Sequence, residues 1–528
     1  MTKTYVPSRI DTDPGHHIRV GLVASVIIMI ASWGVGWLPS AQNSWFAGTT
    51  ILNPLRVWTP GVIVCAVALV TGGILLVRSW LRLGQALQLP YTMGDDGQHL
   101  GSAKGSARKH RIHDHKLTVI NRAIRYWTIP LLFSFPILSR DVYSYLAQGR
   151  LLHAGLDPYG EGVSSLPGWF MTGADSLWAQ SPSPYGPAFL LLSQLIWFVT
   201  DGGPEWAVMI FRAIFVGGMA MCVWAVPRLA RRFGARGDWA QWIFIANPLF
   251  GLYMIAGAHN DTLMLGLLLT GLYFVNPNWQ DHKRRRILLG FILLACSIAV
   301  KPLTVLVLPF AGMLLLWRRG DKMSYRARTR VWVQSVLVVG IILTLFGAVT
   351  GLWFGWVPAM MTSGSAAFPY APFGLIGLAL GWVVDLIWHT GIEPVAEMFY
   401  SLGTLTIAAV TAWLALLPRP KHPIFSAALA LSTAILVAPV FQPWYILWVL
   451  PLFAITGRWT GWASSLLYLL VTVLIVVGVV DQLSVAQWIP LLELRLLTGT
   501  IGLVGIIILV FCDPLTRRAF PTQQKIKV

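Results

Sequence analysis

Apolar runs of about twenty residues, each long enough to cross the hydrocarbon of a bilayer as a helix, recur along nearly the whole chain. Inside lipid, every backbone N–H and C=O must find its partner within the protein, so repeated runs of this length require helices. The expected fold is all-α: a polytopic transmembrane bundle occupying residues 1–528 as one integral-membrane domain. Composition supports this, with 56% hydrophobic and 11% charged residues, where a soluble domain carries about 25% charged residues. The first run, Val20 to Leu38, follows a polar N-terminus and has no small-residue cleavage site, so a retained helix is expected.

Thirty-nine Lys and Arg against 21 Asp and Glu give a net charge of +18. The basic residues cluster between apolar runs rather than along one polar face, which points to membrane orientation and excludes nucleic acid as a partner. Residues 81–125 form a basic stretch expected to lie in the cytoplasm. The clusters Arg228, Arg231, Arg232 and Arg236, Lys283 to Arg286, and Arg318 to Arg330 agree with it. Residues 139–186, with only Arg140 and Arg150 as cations beside Asp141, Asp157, Glu161 and Asp175, form the large outward loop. The uncharged stretch from Gly351 to Gly374 also faces outward. Consistent parity then makes Pro187–Thr200 and Phe373–His389 re-entrant or interfacial, splits Ile287–Trp317 at Lys301-Pro302, and leaves about 14 crossings. The cysteines, Cys65, Cys222, Cys296 and Cys512, show no paired spacing and no CxxC, so neither disulfides nor a thiolate metal site is expected.

Polar residues collect on the outward side, and ionisable groups at membrane depth mark function by default. Asp141, in Ser139 to Tyr145, is placed at the outer rim of the third span. There a carboxylate can act as general base toward a sugar hydroxyl, or pair with Arg140. The same loop holds Asp157, Tyr159 and Glu161, then Trp169, Trp178 and Tyr185. Its Pro, Gly, Trp and Tyr content suits short interfacial helices at headgroup depth, and Asp157, preceding Pro158, can equally shape a turn. A second tip, Gly257 to Asp261, brings His259, Asn260 and Asp261 between two spans, to orient a substrate, hold a cation or cap the following helix. A third tip, Val300-Lys301-Pro302, offers an ammonium to a lipid phosphate, or a Lys that snorkels. A fourth, Phe441 to Tyr445, adds Gln442, Trp444 and Tyr445.

A carboxylate, a cation, a His/Asp pair and aromatic rings on one membrane face suit sugar transfer from a lipid phosphate. The carboxylate deprotonates the acceptor, the cation stabilises the departing phosphate, and ring faces hold the sugar. No Walker, dinucleotide, HExxH or GxSxG motif accompanies them. The alternative is a transporter or flippase of lipid-linked sugar, supported by the number of spans and the broken helix at Lys301. A transporter, however, would concentrate polar groups at the bilayer midplane.

Through Arg140 to Tyr145 and on to Tyr159, with the Gly257-Ala-His-Asn-Asp and Val300-Lys-Pro tips, the chain resembles the polyprenyl-phosphate-mannose-dependent α-(1→6) mannosyltransferases of corynebacteria and mycobacteria. The resemblance implies the integral-membrane C-type glycosyltransferase class, a polyprenyl-phosphate mannose donor, a mannosylated glycolipid acceptor, and synthesis of the mannan core of lipomannan and lipoarabinomannan outside the plasma membrane. It implies inversion at the anomeric carbon with Asp141 as the one base, Asp261 as a second acid and Lys301 as a phosphate ligand. The candidate substrate-binding residues are Arg140, Tyr143, Tyr145, Asp157, Tyr159, Glu161, Tyr185, His259, Asn260, Asp261, Lys301, Gln442, Trp444 and Tyr445. No cofactor and no multidentate metal site are expected.

Overall fold

A computed structural model describes residues 13–89, 103–275, 284–318, 321–362, 371–420, 422–457 and 461–520. Asp95, Asp96, Lys283, Arg319 and the middle of the uncharged stretch after Gly351 lie outside the described residues. Among those described, the regular structure is helical throughout, with no strand. Seven helices are long and apolar enough to span a membrane, and an eighth span arises if one sharply bent pair counts as one. Apolar runs such as Pro187–Thr200, Pro302–Leu314, Pro372–Trp388, Pro423–Val437 and Pro443–Thr456 are shorter helices.

The helices begin where local chemistry predicts. The Pro14–Val35 helix is capped by the Asp13 carboxylate, which accepts from the Gly15 and His16 N–H groups. Those at Thr59–Ala86, Pro187–Thr200, Pro372–Trp388 and Pro423–Val437 carry Pro in the first turn, where its missing N–H costs nothing and its fixed φ favours the helix. Much of the basic 81–125 stretch is itself helical, in the end of Thr59–Ala86 and in Ala103–Leu131.

Two compact units emerge. The first comprises residues up to Val142, Leu229–His259 and the segment from Arg458 onward. Its core packs the Pro14–Val35 helix against Thr59–Ala86 and Ala103–Leu131, with Trp462–Asp481 and Leu491–Ile507 joining Thr59–Ala86. Trp80 and Trp242 stack with centroids 4.9 Å apart, and each indole N–H donates to the other residue's carbonyl. These buried rings thus satisfy their polar edges mutually.

The second unit comprises Tyr143–Arg228 and Asn260–Gly457. Asp261–Val275 and Arg284–Val300 form a helical hairpin. Pro204–Arg232 crosses it closely: a Cβ on Gly218 would come within 2.6 Å of the Thr262 carbonyl oxygen, and one on Gly266 within 2.5 Å of the Gly218 oxygen. Only glycine permits that approach. The hairpin brings the end of its second helix, at Lys301, back to the start of its first, at Asp261.

Two expectations change. The third span does not run on to Asp141. Ala103–Leu131 ends one residue after Pro130, Pro136 follows, and Asp141 opens a separate helix, Asp141–His153. Nor does the Gly257–Asp261 tip join two ordinary spans, because the chain there turns by 111° between a π-helical segment, Phe250–Ala256, and Asp261–Val275.

Candidate active site

In the first unit, the approach to Asp141 is built from irregular backbone pinned at its polar groups. The Ser32 hydroxyl accepts from the Phe135 N–H, the Trp33 indole donates to the Phe133 carbonyl, and the Trp37 N–H donates to that of Pro136. Arg56 ties the same corner by donating to the carbonyls of Trp33 and Gly36 at a helix C-terminus, where a cation is favoured. Leu138 is held at φ +63° and Ala258 at φ +54°, a region that residues with a Cβ rarely occupy. Strain of this kind, on both segments that carry candidate residues, is characteristic of functional sites.

The two strained segments deliver Asp141 and His259 to one another, with His259 Nδ1 3.6 Å from Asp141 Oδ2. The Ser139 hydroxyl accepts from the Asp141 N–H at the helix start. The His259 side chain is fully buried while that of Asp141 keeps 17% exposure, so the carboxylate is the member of the pair that an incoming hydroxyl can reach. The guanidinium of Arg140 lies 4.5 Å from the Trp37 ring centroid as a cation–π contact.

In the second unit, Lys301 sits at a break, in extended backbone between Arg284–Val300 and the 3₁₀ turn Pro302–Val307. Its Nζ donates to Asp261 Oδ1 at 2.7 Å, and the same oxygen accepts from the Trp448 indole at 2.6 Å. The ammonium is 4.7 Å from the Trp448 ring centroid and 5.7 Å from that of Tyr185. Asp261 is fully buried and the Lys301 side chain 13% exposed. An ammonium has three N–H donors, and among the described residues Lys301 gives one to a side chain. Two remain to hydrogen-bond an anion.

The other candidates fall around this ion pair or away from it. The Gly186 N–H donates to the Val300 carbonyl, and a Cβ there would come within 2.3 Å of the Ala299 oxygen. That close approach sets Tyr185 beside Lys301. The buried Tyr159 donates its hydroxyl to the Tyr185 carbonyl, and burial pushes its phenol pKa up. Tyr445 stacks on Trp448 at 3.8 Å between centroids, Trp444 packs edge-on to Tyr445, and Gln442 precedes their turn. Tyr145 packs edge-on to Tyr185, and its hydroxyl lies 3.5 Å from Asn260 Oδ1. Tyr143 is buried. Asp157 accepts from the Tyr159 N–H in an Asx turn, and Glu161 is exposed to solvent.

The His/Asp pairing read from the second tip is rearranged. His259 lies outside the helix and meets Asp141, whereas Asp261 is the first residue of its helix and meets Lys301 and Trp448. Its carboxylate accepts from two side-chain donors, Lys301 and Trp448. Two residues escaped the sequence reading. Trp448 follows Tyr445 by three positions, the spacing at which helical side chains meet. Arg212 sits in the apolar first half of the Pro204–Arg232 helix, away from the arginines at its end, buried and within electrostatic reach of Tyr143. Among the described residues, no three His, Cys, Asp or Glu side chains gather as a metal site.

Residues 18–317 match the family described as alpha-(1->6)-mannopyranosyltransferase, N-terminal domain, and residues 371–506 match the MptB C-terminal domain. A probable alpha-(1->6)-mannopyranosyltransferase of Mycolicibacterium smegmatis is 33% identical over 471 residues, covering 83% of this chain and 78% of that one. An alpha-(1->6)-mannopyranosyltransferase of Mycobacterium tuberculosis is 30% identical over 492 residues, with the same shares. Alpha-(1->6)-mannopyranosyltransferase B of Corynebacterium glutamicum is 25% identical over 473 residues, covering 85% and 73%. No solved structure matches.

Proposed function

Because the chain belongs to the alpha-(1->6)-mannopyranosyltransferase family and is a membrane-embedded mannosyltransferase, we propose that it moves mannose from polyprenyl-monophosphate mannose to a growing α-(1→6)-mannan of lipomannan and lipoarabinomannan. We place it in the C-type class, with its site on the extracytoplasmic side of the plasma membrane. Membership of a transferase family favours this reading over a transporter of lipid-linked sugar.

The chemistry is a single displacement. Asp141 takes the proton of the acceptor 6-hydroxyl as that oxygen bonds to the anomeric carbon. The bond from that carbon to the donor phosphate breaks, and its electron pair leaves on the phosphate oxygen. A β-linked donor then gives an α-linked product. His259, buried behind Asp141, orients the carboxylate. Lys301 offers N–H donors to the phosphate oxygens as charge grows there, and Tyr445 with Trp448 supplies a ring surface for a hexose. The donor is already activated, so the scheme uses no organic cofactor.

The observation that supports Asp141 most is its partial exposure beside a buried imidazole, while Asp261 is buried and bonded. The test is Asp141→Asn in purified protein supplied with polyprenyl-phosphate mannose and an oligomannose acceptor. Transfer should fall by at least about 10³-fold, within the range assigned to a general base, with the folded protein retained. Full activity of that variant would refute the role.

A further inference from the structure

A cation meant for a phosphate is usually left with its charge available, yet Lys301 is joined to a carboxylate that is itself buried and held in place by an indole N–H. We infer that Asp261 is a positioning residue that trims the charge presented by Lys301, so that the spent lipid phosphate leaves as readily as the donor binds; this rests on the donor and leaving group proposed above. The donor phosphodiester carries one negative charge. The product, a phosphomonoester with a second ionisation near pH 6, approaches two at neutral pH. A desolvated ammonium acting alone would hold the product more tightly than the donor, and turnover would stall on release.

Each part of the cluster fits that role. Asp261 takes one N–H of Lys301 and leaves two for phosphate oxygens. The Trp448 indole donates to the same carboxylate oxygen, fixing Asp261 and holding the ring against the ammonium. Asp261 lies in the first turn of its helix, where the backbone dipole favours an anion. Complete burial excludes Asp261 from the reacting hydroxyl, so its effect passes through Lys301.

The experiment measures inhibition by added polyprenyl phosphate during mannose transfer by the purified full-length protein. Asp261→Asn keeps an oxygen to accept from Trp448 and Lys301 but removes the charge. The product inhibition constant should tighten by about tenfold, the donor KM should fall by less, and kcat should drop as release becomes limiting. A merely structural role would scale kcat with the folded fraction and leave both constants unchanged, which would overturn the inference.

A second measurement needs no variant. Between pH 5.5 and 7.5, as the product takes on its second charge, its inhibition constant for the wild-type protein should change by less than about threefold. Tightening by tenfold or more would also overturn the inference. If the wild-type protein transfers no mannose from this donor, the functional proposal fails at the first step, a result distinct from an unchanged inhibition constant.

Discussion

Replacing Lys301 by Gln isolates the energetics of the buried ion pair. At the 2.7 Å separation of Nζ and Asp261 Oδ1, the direct attraction is about 6 kcal/mol at an effective dielectric constant of about 20. Desolvation of the two groups consumes much of that, so the pair contributes little net stability against an apolar substitute. Removing one partner is different, because the remaining carboxylate is fully buried. Loss of the ammonium should cost about 3–5 kcal/mol, lessened by the indole hydrogen bond from Trp448 that stays in place. The double variant Lys301→Gln, Asp261→Asn replaces the ion pair with a neutral hydrogen-bonded pair. It should recover most of the lost stability and none of the transfer activity. The assay is thermal unfolding of the three purified proteins in one detergent, with mannose transfer measured in parallel. A single variant as stable as the parent, or a double variant no more stable than the single, would refute the reasoning.

Three further outcomes follow from other sites. His422 precedes the Pro423–Val437 helix, accepts from the Ile424 N–H, and is pushed by burial down to about 4 from its ordinary 6.5. Between those values the unfolded chain binds more protons, so stability should fall by about 3 kcal/mol as pH drops from 6.5 to 4; unfolding midpoints across that range should flatten in His422→Asn. Burial raises the Asp238 carboxyl pKa, but hydrogen bonds and charge from His113 and Arg236 outweigh it and hold it below its ordinary value. Asp238→Asn should destabilise the protein by about 3 kcal/mol in thermal unfolding, with little change in kcat of the folded fraction. Gly186→Val would drive a side chain into the Ala299 carbonyl and push Tyr185 from Lys301, so transfer should fall at least about tenfold even where membrane expression persists, as a small misplacement commonly costs more.

The helical architecture was legible because apolar length and basic clusters act over whole segments and tolerate local error. The candidate residues could be singled out, since polar groups are scarce in this chain and Asp141, His259 and Lys301 stand out against apolar surroundings. Their pairings were not legible. His259 and Asp261 are two positions apart in sequence, but Ala258 in the left-handed region and the helix start at Asp261 send them to different partners. Trp448 looked like one more aromatic in an apolar run, and its hydrogen bond to Asp261 spans 187 positions. The break between Leu131 and Asp141 was hidden for a related reason: Phe135 and Trp37 pay out their backbone bonds to residues about a hundred positions away, which hydropathy does not register.

Environment therefore decides what each carboxylate can do, since surroundings set an acid's role. Asp261 is bonded through one oxygen to an ammonium and an indole and shielded from solvent. A hydroxyl offered to that oxygen would have to displace those groups. Asp141 lies beside the His259 imidazole at a distance too long for a strong hydrogen bond and retains some exposure. A carboxylate so placed can accept a proton and lose it again to solvent between turnovers. Changing the surroundings rather than the acids separates the two: opening the contact with Trp448 by Trp448→Phe should loosen Asp261 without making it a base, whereas His259→Phe should leave Asp141 in place but poorly oriented. The second variant should lower kcat and spare the donor KM, and a wild-type kcat for it would remove His259 from the reaction.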